Sequence, residues 1–349
     1  MSTATATMPA AVLADVGRLA IVQRPVPVVE RDSDVLLDVQ ACGICGTDLH
    51  ILSTPPGQPA TVGAVLGHEF VGIVREIGAE VTSLEVGDRV VVAPNVSCGQ
   101  CVWCKRGLRN HCENWTTHGI YVDGGLAPSV VVPAANCFPI AGRLPNHIAA
   151  LAEPLSTVVN GVRLANVFPG ETAAVIGAGP IGLMFTALLG LAGATVLVLE
   201  PAEARASLAR TMGAEVVIDP TRGDPVVGTR ELTGGLGADV VVDAVGSQLP
   251  AALDLVRKAG RIVLFGMNDR ARAEVAQARI TRDELQLLGA FVGQDVFPAA
   301  IRLLEQGRID LEPLVTHRIR LEELPEAVEE LRAGRAVKVQ VDLEGGPRA

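Results

Sequence analysis

Residues 172–182 read TAAVIGAGPIG: a short apolar run, then glycines at 177, 179 and 182. The run passes directly into PIGLMFTALLGLAG, an apolar helix pattern, and a strand that turns on glycine into a helix is the setting in which main chain cradles a dinucleotide pyrophosphate. Gly177 permits the tight turn, Gly179 lets the backbone approach the phosphates and Gly182 lets helix and strand pack closely. The helix amino end supplies positive potential, and Pro180, followed by Ile181, stands where a missing N–H is tolerated. Outward from this turn, TVLVLE, AEARASLARTMGA, EVVID, ADVVVDAVG and RIVLFGM continue the alternation of strand and helix. That rhythm predicts an α/β fold with a doubly wound parallel sheet over residues 156–295.

The next strand ends at Glu200, 18 residues after Gly182, where an acidic side chain accepts from ribose hydroxyls and repels a 2′-phosphate. NAD is favoured over NADP on this ground. Arg205 is ambiguous, since it either offers a cation to a phosphate or lies across an adenine face. A solvated turn residue is the plainer alternative for Glu200.

Before residue 156 the pattern differs. DVLLDVQACG, HEFVGIVREIG and DRVVVAP are short β-type runs broken by Gly, Pro and Asp, which predicts a β-rich lobe. After about Asp295 come an apolar helix, FPAAIRLLEQG, a second one, LPEAVEELRAG, and a strand, AVKVQVDL, with no second glycine turn, so this tail is expected to pack back on the first lobe. The expected domains are therefore 1–155 with 296–349, and 156–295.

A chain of 349 residues with 49% hydrophobic content exceeds the size of a single core and agrees with two domains. Lys plus Arg number 29 against 39 Asp plus Glu, a net charge of −10, and the one dense basic stretch, KRGLR at 105–109, is too short to follow a nucleic-acid backbone. No nucleic-acid partner is expected. The opening MSTATATMPA has no signal-peptide pattern, and the most apolar segment, 180–199, carries Gly182, Gly190 and Gly193, so it reads as buried helix and strand rather than a membrane span. Seven cysteines, four in a metal pattern, imply a reducing compartment, by default the cytoplasm.

Those four, Cys98, Cys101, Cys104 and Cys112 in CGQCVWCKRGLRNHC, have the spacing that wraps one tetrahedral zinc. With all positions filled by sulfur the site is structural. A disulfide competes poorly at this spacing, and Trp103 and Trp115 are expected to pack around the metal lobe. An open metal site is suggested by ACGICGTDLH (41–50) and LGHEF (66–70): Cys45 and His68 are natural zinc ligands, with Glu69 or Glu153 completing a set that leaves a position for an alcohol oxygen. Zinc there lowers the hydroxyl pKa toward neutrality, so that an alkoxide can form and release hydride to a nicotinamide. The competing reading of Cys42 and Cys45 as a redox pair lacks βαβ surroundings. Cys42 and Cys137 read as small buried hydrophobes, and His111, His118, His147 and His317 as hydrogen-bonded or solvated histidines.

GICGTDLH, LGHE, the four-cysteine loop and GAGPIG, in this order, resemble the zinc-dependent medium-chain alcohol dehydrogenases over nearly the whole chain. LAEPLS at 151–156 places Glu153 where the simple-alcohol branch carries a cysteine, which is closer to the sorbitol, threonine and butanediol dehydrogenases. The resemblance implies a GroES-like catalytic domain and a Rossmann domain, two zinc ions per chain, and a dimer or tetramer. It further implies that Cys45, His68 and Glu153 surround the catalytic zinc with Glu69 as alternate ligand, and that Thr47 passes the substrate proton by way of the nicotinamide ribose to His50. Ile181, Glu200 and Arg205 fall on the family's coenzyme positions, and Phe265, Gly266 and Met267 with Phe291 and Val292 fall where later loops reach the nicotinamide. One departure stands out: the sugar-alcohol members follow the Phe with Arg and Tyr, and here Val292 and Gly293 stand in those places. A smaller diol, a hydroxyl on a larger scaffold or main-chain substrate binding fits such a pocket. The expected activity is hydride transfer between NAD(H) and a secondary alcohol or polyol and its ketone. The alternatives are a reductase of a specialised ketone and a non-catalytic cofactor-binding scaffold, the last of which predicts damage to the reacting centre.

Overall fold

In the computed structural model, residues 6–293 and 295–344 are described. The TAAVI run forms the strand Thr172–Ile176 inside a six-stranded parallel sheet. Its central strands are covered on both faces, which is why their sequences are continuous apolar runs rather than alternating ones. The spatial order is Val216–Ile218, Thr195–Leu199, Thr172–Ile176, Ala238–Asp243, Val256–Leu264, Gln286–Gly289. Numbered along the chain, this is 3-2-1-4-5-6, so the order reverses at Thr172–Ile176, and a ligand crevice lies outside the carboxyl ends of the strands at that switch. The register Ile176↔Leu199 and Ile176↔Asp243 brings the ends of three strands level at the glycine turn. Buried Asp243 knits the neighbouring turn, accepting from the amides of Val245, Gly246 and Gln248 at 3.0, 2.8 and 2.8 Å.

Two compact units result: residues 1–154, 297–306 and 315–349 form one, and residues 155–296 and 307–314 the other. The first is built on a seven-stranded sheet whose path runs Val315–Arg320, Lys338–Asp342, Asp34–Ile44, Glu69–Ile77, Arg89–Val92, Cys137–Pro139, with Ser129–Pro133 also paired to Asp34–Ile44. All of its pairings are antiparallel except that of Val315–Arg320 with Lys338–Asp342. The helix Phe297–Glu305 belongs to this unit and stacks Phe297 on Phe138, ring centroids 5.3 Å apart.

Val315–Arg320 and Gln286–Gly289 are among the strands not legible in the sequence. Val315–Arg320 turns Thr316, Arg318 and Arg320 outward and sets His317 between Val315 and Ile319 on the half-buried face, and Gln286–Gly289 is four residues on a sheet edge, so neither presents a strong apolar period. The segment 180–199 divides into the helix Pro180–Leu191 and the strand Thr195–Leu199. Among the described residues no helix is long and apolar enough to cross a membrane.

Candidate active site and metal centres

Strand Asp34–Ile44 runs into Cys45, which caps the short helix Gly46–Ile51. The Asp48 carboxylate returns to accept from the Cys45 amide at 2.8 Å, fixing the cysteine at the helix mouth. The adjacent antiparallel strand begins at Glu69, paired with Gly43, so His68 and Glu69 arrive beside Cys45. The ligand atoms of Cys45, His68 and Glu69 all lie within 4.8 Å of one another. Glu153, in the first turn of the helix Ala152–Ala165, is outside that set but buried and electrostatically coupled to His68. Thr47 Oγ1 stands 3.6 Å from the Cys45 sulfur, whereas His50 is exposed at the end of its helix. The structure thus brings Cys45, Thr47, His68 and Glu69 together, and places His50 at the solvent side.

Three residues of this centre escaped sequence reading. Lys338, 2% exposed, donates to Ile44 O at 2.9 Å and to Glu69 Oε2. Gln340 pairs with Gly43, which pairs with Glu69, so three adjacent strands set glutamine, glycine and glutamate in one row. A Cβ on Gly43 would lie 2.2 Å from Glu69 Oε2, so only glycine leaves this room. Asp48 is the third: its Oδ1 faces His68 Nδ1 at 3.8 Å, an orienting position of the kind that supports metal-binding imidazoles. Lys338 and Gln340 alternate with valines in AVKVQVDL, a pattern that by itself reads as a solvated strand face.

The charges explain the protonation. Burial disfavours the cation on His68, but the Cys45 and Asp48 charges outweigh it and raise the pKa well above the ordinary value. Burial, with Glu69 and Asp48 adding and His68 and Lys338 opposing, pushes Glu153 up to about 7. Burial raises Asp48 too. Glu69 Oε1 is buried without a hydrogen-bond partner. A sulfur, an imidazole and a carboxylate with an orphaned oxygen, packed this closely, fit a borderline-soft cation such as zinc.

The second cluster, Cys98, Cys101, Cys104 and Cys112, also has all four sulfurs within 4.8 Å of one another, and all are free thiols. Main-chain amides aim at them: Cys98 N reaches Cys112 Sγ at 3.2 Å, Cys101 N reaches Cys98 Sγ at 3.4 Å and Asn114 N reaches Cys112 Sγ at 3.3 Å. Amide donation from Gln100 and its neighbours lowers the Cys98 pKa to about 6, so its metal-binding thiolate form prevails at neutral pH, while burial and the adjoining thiols raise Cys104 to about 11. Trp103 packs edge-on to His111 and Trp115 Nε1 donates to Thr117 at 2.8 Å, which braces the loop. Donor set and spacing fit a closed tetrahedral zinc. Structural zinc supplies roughly 10–16 kcal/mol to small domains that are unfolded without it. Cys101→Ser is therefore expected to lower the thermal midpoint and impair assembly before it affects chemistry, and an intact, fully active Cys101→Ser protein would contradict a structural role.

At the coenzyme turn, Gly177 has φ +92°, and a Cβ on Gly182 would fall 1.9 Å from Gly177 O, so both glycines are sterically required. The following helix is capped by Gly179 with no side-chain bond, leaving its amino end available to an anion. Glu200 is nearly fully buried: Oε2 accepts from Ala178 N at 2.9 Å, and Oε1 from Ala202 N at 2.9 Å and Arg205 at 2.8 Å. Glu200 therefore ties the glycine turn to one guanidinium nitrogen of Arg205. In the later loops, Phe265 packs edge-on to Phe185 at 5.0 Å, Gly266 lies against Gly246, and Met267 and Phe291 are exposed. These features fit a nicotinamide dinucleotide.

Residues 31–142 match the alcohol dehydrogenase GroES-like domain family and residues 180–306 the zinc-binding dehydrogenase family. The chain is 35% identical to D-arabinitol dehydrogenase 1 of Uromyces fabae over 92% of its length and 93% of that protein's. To L-threonine 3-dehydrogenase of Pyrococcus horikoshii it is 36% identical over 88% and 90%. A zinc-binding dehydrogenase of Sinorhizobium meliloti, solved bound to NADP, superposes with a TM-score of 0.91 at 35% identity, covering 97% of this chain and 99% of that one. The chain belongs to the zinc-dependent medium-chain dehydrogenases, in the branch that includes polyol and threonine dehydrogenases. It is accordingly an oxidoreductase acting on a CH–OH group with zinc and a nicotinamide coenzyme.

Proposed function

We propose that the chain oxidises a secondary alcohol, a small diol or a hydroxyl on a larger scaffold, to the ketone with NAD. The donor set of half-buried Cys45 with buried His68 and Glu69, and its orphaned carboxylate oxygen, carries this reading. Cys45 and His68 would hold a zinc ion with Glu153 or Glu69, and the four-cysteine loop a second one. Zinc at the first site would supply Lewis acidity toward the alcohol oxygen. Thr47, beside Cys45, would take the substrate hydroxyl proton and pass it by way of the nicotinamide ribose to exposed His50, which would release it to water, the exchange an imidazole performs best near neutrality. Lys338 sets its charge against Glu69 within reach of the donor set. Val292 and Gly293 offer no side-chain donors, which favours substrates with few hydroxyls to satisfy.

The measurement that tests this is NADH formation by zinc-replete protein on a panel of diols, sugar alcohols, cyclitols, threonine and simple secondary alcohols, with a chelated control. Chelator-sensitive turnover of one class supports the reading, the absence of turnover on every class restricts the substrate to a hydroxyl on a larger scaffold, and a protein that also binds neither NAD nor zinc removes the reading.

The NAD preference is inferred from the acidic Glu200 at the glycine turn, the position the family resemblance gives to the ribose contact. Glu200→Ala removes the acid and also frees Arg205 to meet a 2′-phosphate, while the Ala178 amide loses its acceptor. The NAD-to-NADP ratio of kcat/KM is expected to fall by roughly ten- to a hundredfold, the worth of one or two charge-assisted hydrogen bonds. An unchanged ratio would place discrimination in another group.

A further inference from the structure

Val292 is a β-branched residue held at φ +47°, a left-handed conformation that such residues almost never adopt unaided. The agent that holds it is visible. Asn160, 2% exposed in the helix Ala152–Ala165, donates its Nδ2 to Val292 O at 2.7 Å, and its own Oδ1 accepts from Arg163 at 2.8 Å. One turn earlier on the same helix face, Ser156 seats the next loop residue: a Cβ on Gly293 would meet Ser156 Oγ at 2.6 Å. The helix also braces the other late loop, because Gly161 has no side chain where Phe185 Cζ and Phe265 Cδ2 would lie 2.4 and 3.3 Å from a Cβ. All of these groups belong to one compact unit.

We propose that Asn160 is a positioning residue for the nicotinamide end of the coenzyme. By clamping the Val292 carbonyl it keeps the 291–293 main chain in a strained turn before ligand arrives, so that the peptide groups of this loop meet the ring carboxamide without having to be ordered first. The proposal rests on the reading that 291–293 faces the nicotinamide. It goes beyond that reading in assigning the loop's shape to a buried helix side chain that touches neither coenzyme nor substrate.

The test is titration calorimetry of full-length, zinc-loaded protein with NADH and with ADP-ribose, which lacks only the nicotinamide. Asn160→Ala is expected to weaken NADH roughly tenfold while changing ADP-ribose by less than about twofold. The double variant Asn160→Ala/Val292→Gly is expected to recover part of the loss, since glycine takes a positive φ unaided. Should Asn160→Ala not fold, Asn160→Gln, which displaces the amide by one methylene, carries the same comparison. Equal weakening of both ligands, no weakening of NADH, or no recovery in the double variant would overturn the proposal. A wild-type protein that binds NADH no more tightly than ADP-ribose would instead remove the underlying reading of the loop, and is seen before any substitution is made.

Discussion

Cys45→Ser is expected to lower turnover by about four orders of magnitude while coenzyme binding persists and about half of the bound zinc is lost. The thiolate is the soft anionic donor of the Cys45, His68 and Glu69 set. A serine hydroxyl remains protonated and neutral near pH 7, so what is left is one imidazole and carboxylates already engaged, Glu69 by Lys338. The glycine turn that would bind coenzyme belongs to the other compact unit and has no part in the change. Initial rates, zinc content and NADH titration on one preparation check the three parts together. Unchanged turnover would sink the assignment of Cys45 to the reacting centre.

Lys338→Met should produce a large loss of stability. Lys338 and Glu69 are 2% and 0% exposed, so neither charge can turn to water when its partner goes. Removing one member of a buried pair typically costs about 3–5 kcal/mol, because the survivor keeps its desolvation penalty without its counter-charge. Gln340 adds no charge to replace it. At roughly 2–4 °C per kcal/mol for a unit of this size, the thermal midpoint should fall by about 6–20 °C. The double variant Lys338→Met/Glu69→Gln removes both charges and is expected to regain most of that loss. If the double variant is no more stable than the single one, orphaned charge is not the cause.

The glycine turn and the four-cysteine loop were legible because each is a local device, its geometry set by residues within one turn or fifteen positions. The cluster of Cys45, His68 and Glu69 was half legible: the donor types are apparent, but their meeting depends on Glu69 pairing with Gly43 across two strands. Lys338 and Gln340 were invisible for the same reason carried further, since their neighbours lie nearly 300 residues earlier and a register shift of one would turn both outward. Asp48 has no assigned role within ACGICGTDLH, although its position three residues after Cys45 already marks a returning cap. The edge strands failed differently, being too short or too polar for periodicity to separate from loop.

The placement of Lys338–Asp342 beside Asp34–Ile44 also orders events during biosynthesis. The six strands between residues 172 and 289 are contiguous in the chain, so that sheet can close on the ribosome from what has already emerged. The seven-stranded sheet cannot, because one of its inner strands leaves the tunnel last. At about 5–20 residues per second, Asp34–Ile44 waits roughly 15–60 s with one edge open and Glu69 without its cation. The reacting centre is therefore completed after the coenzyme fold, and nascent chains stalled before residue 338 should display an unpaired strand for chaperones to hold.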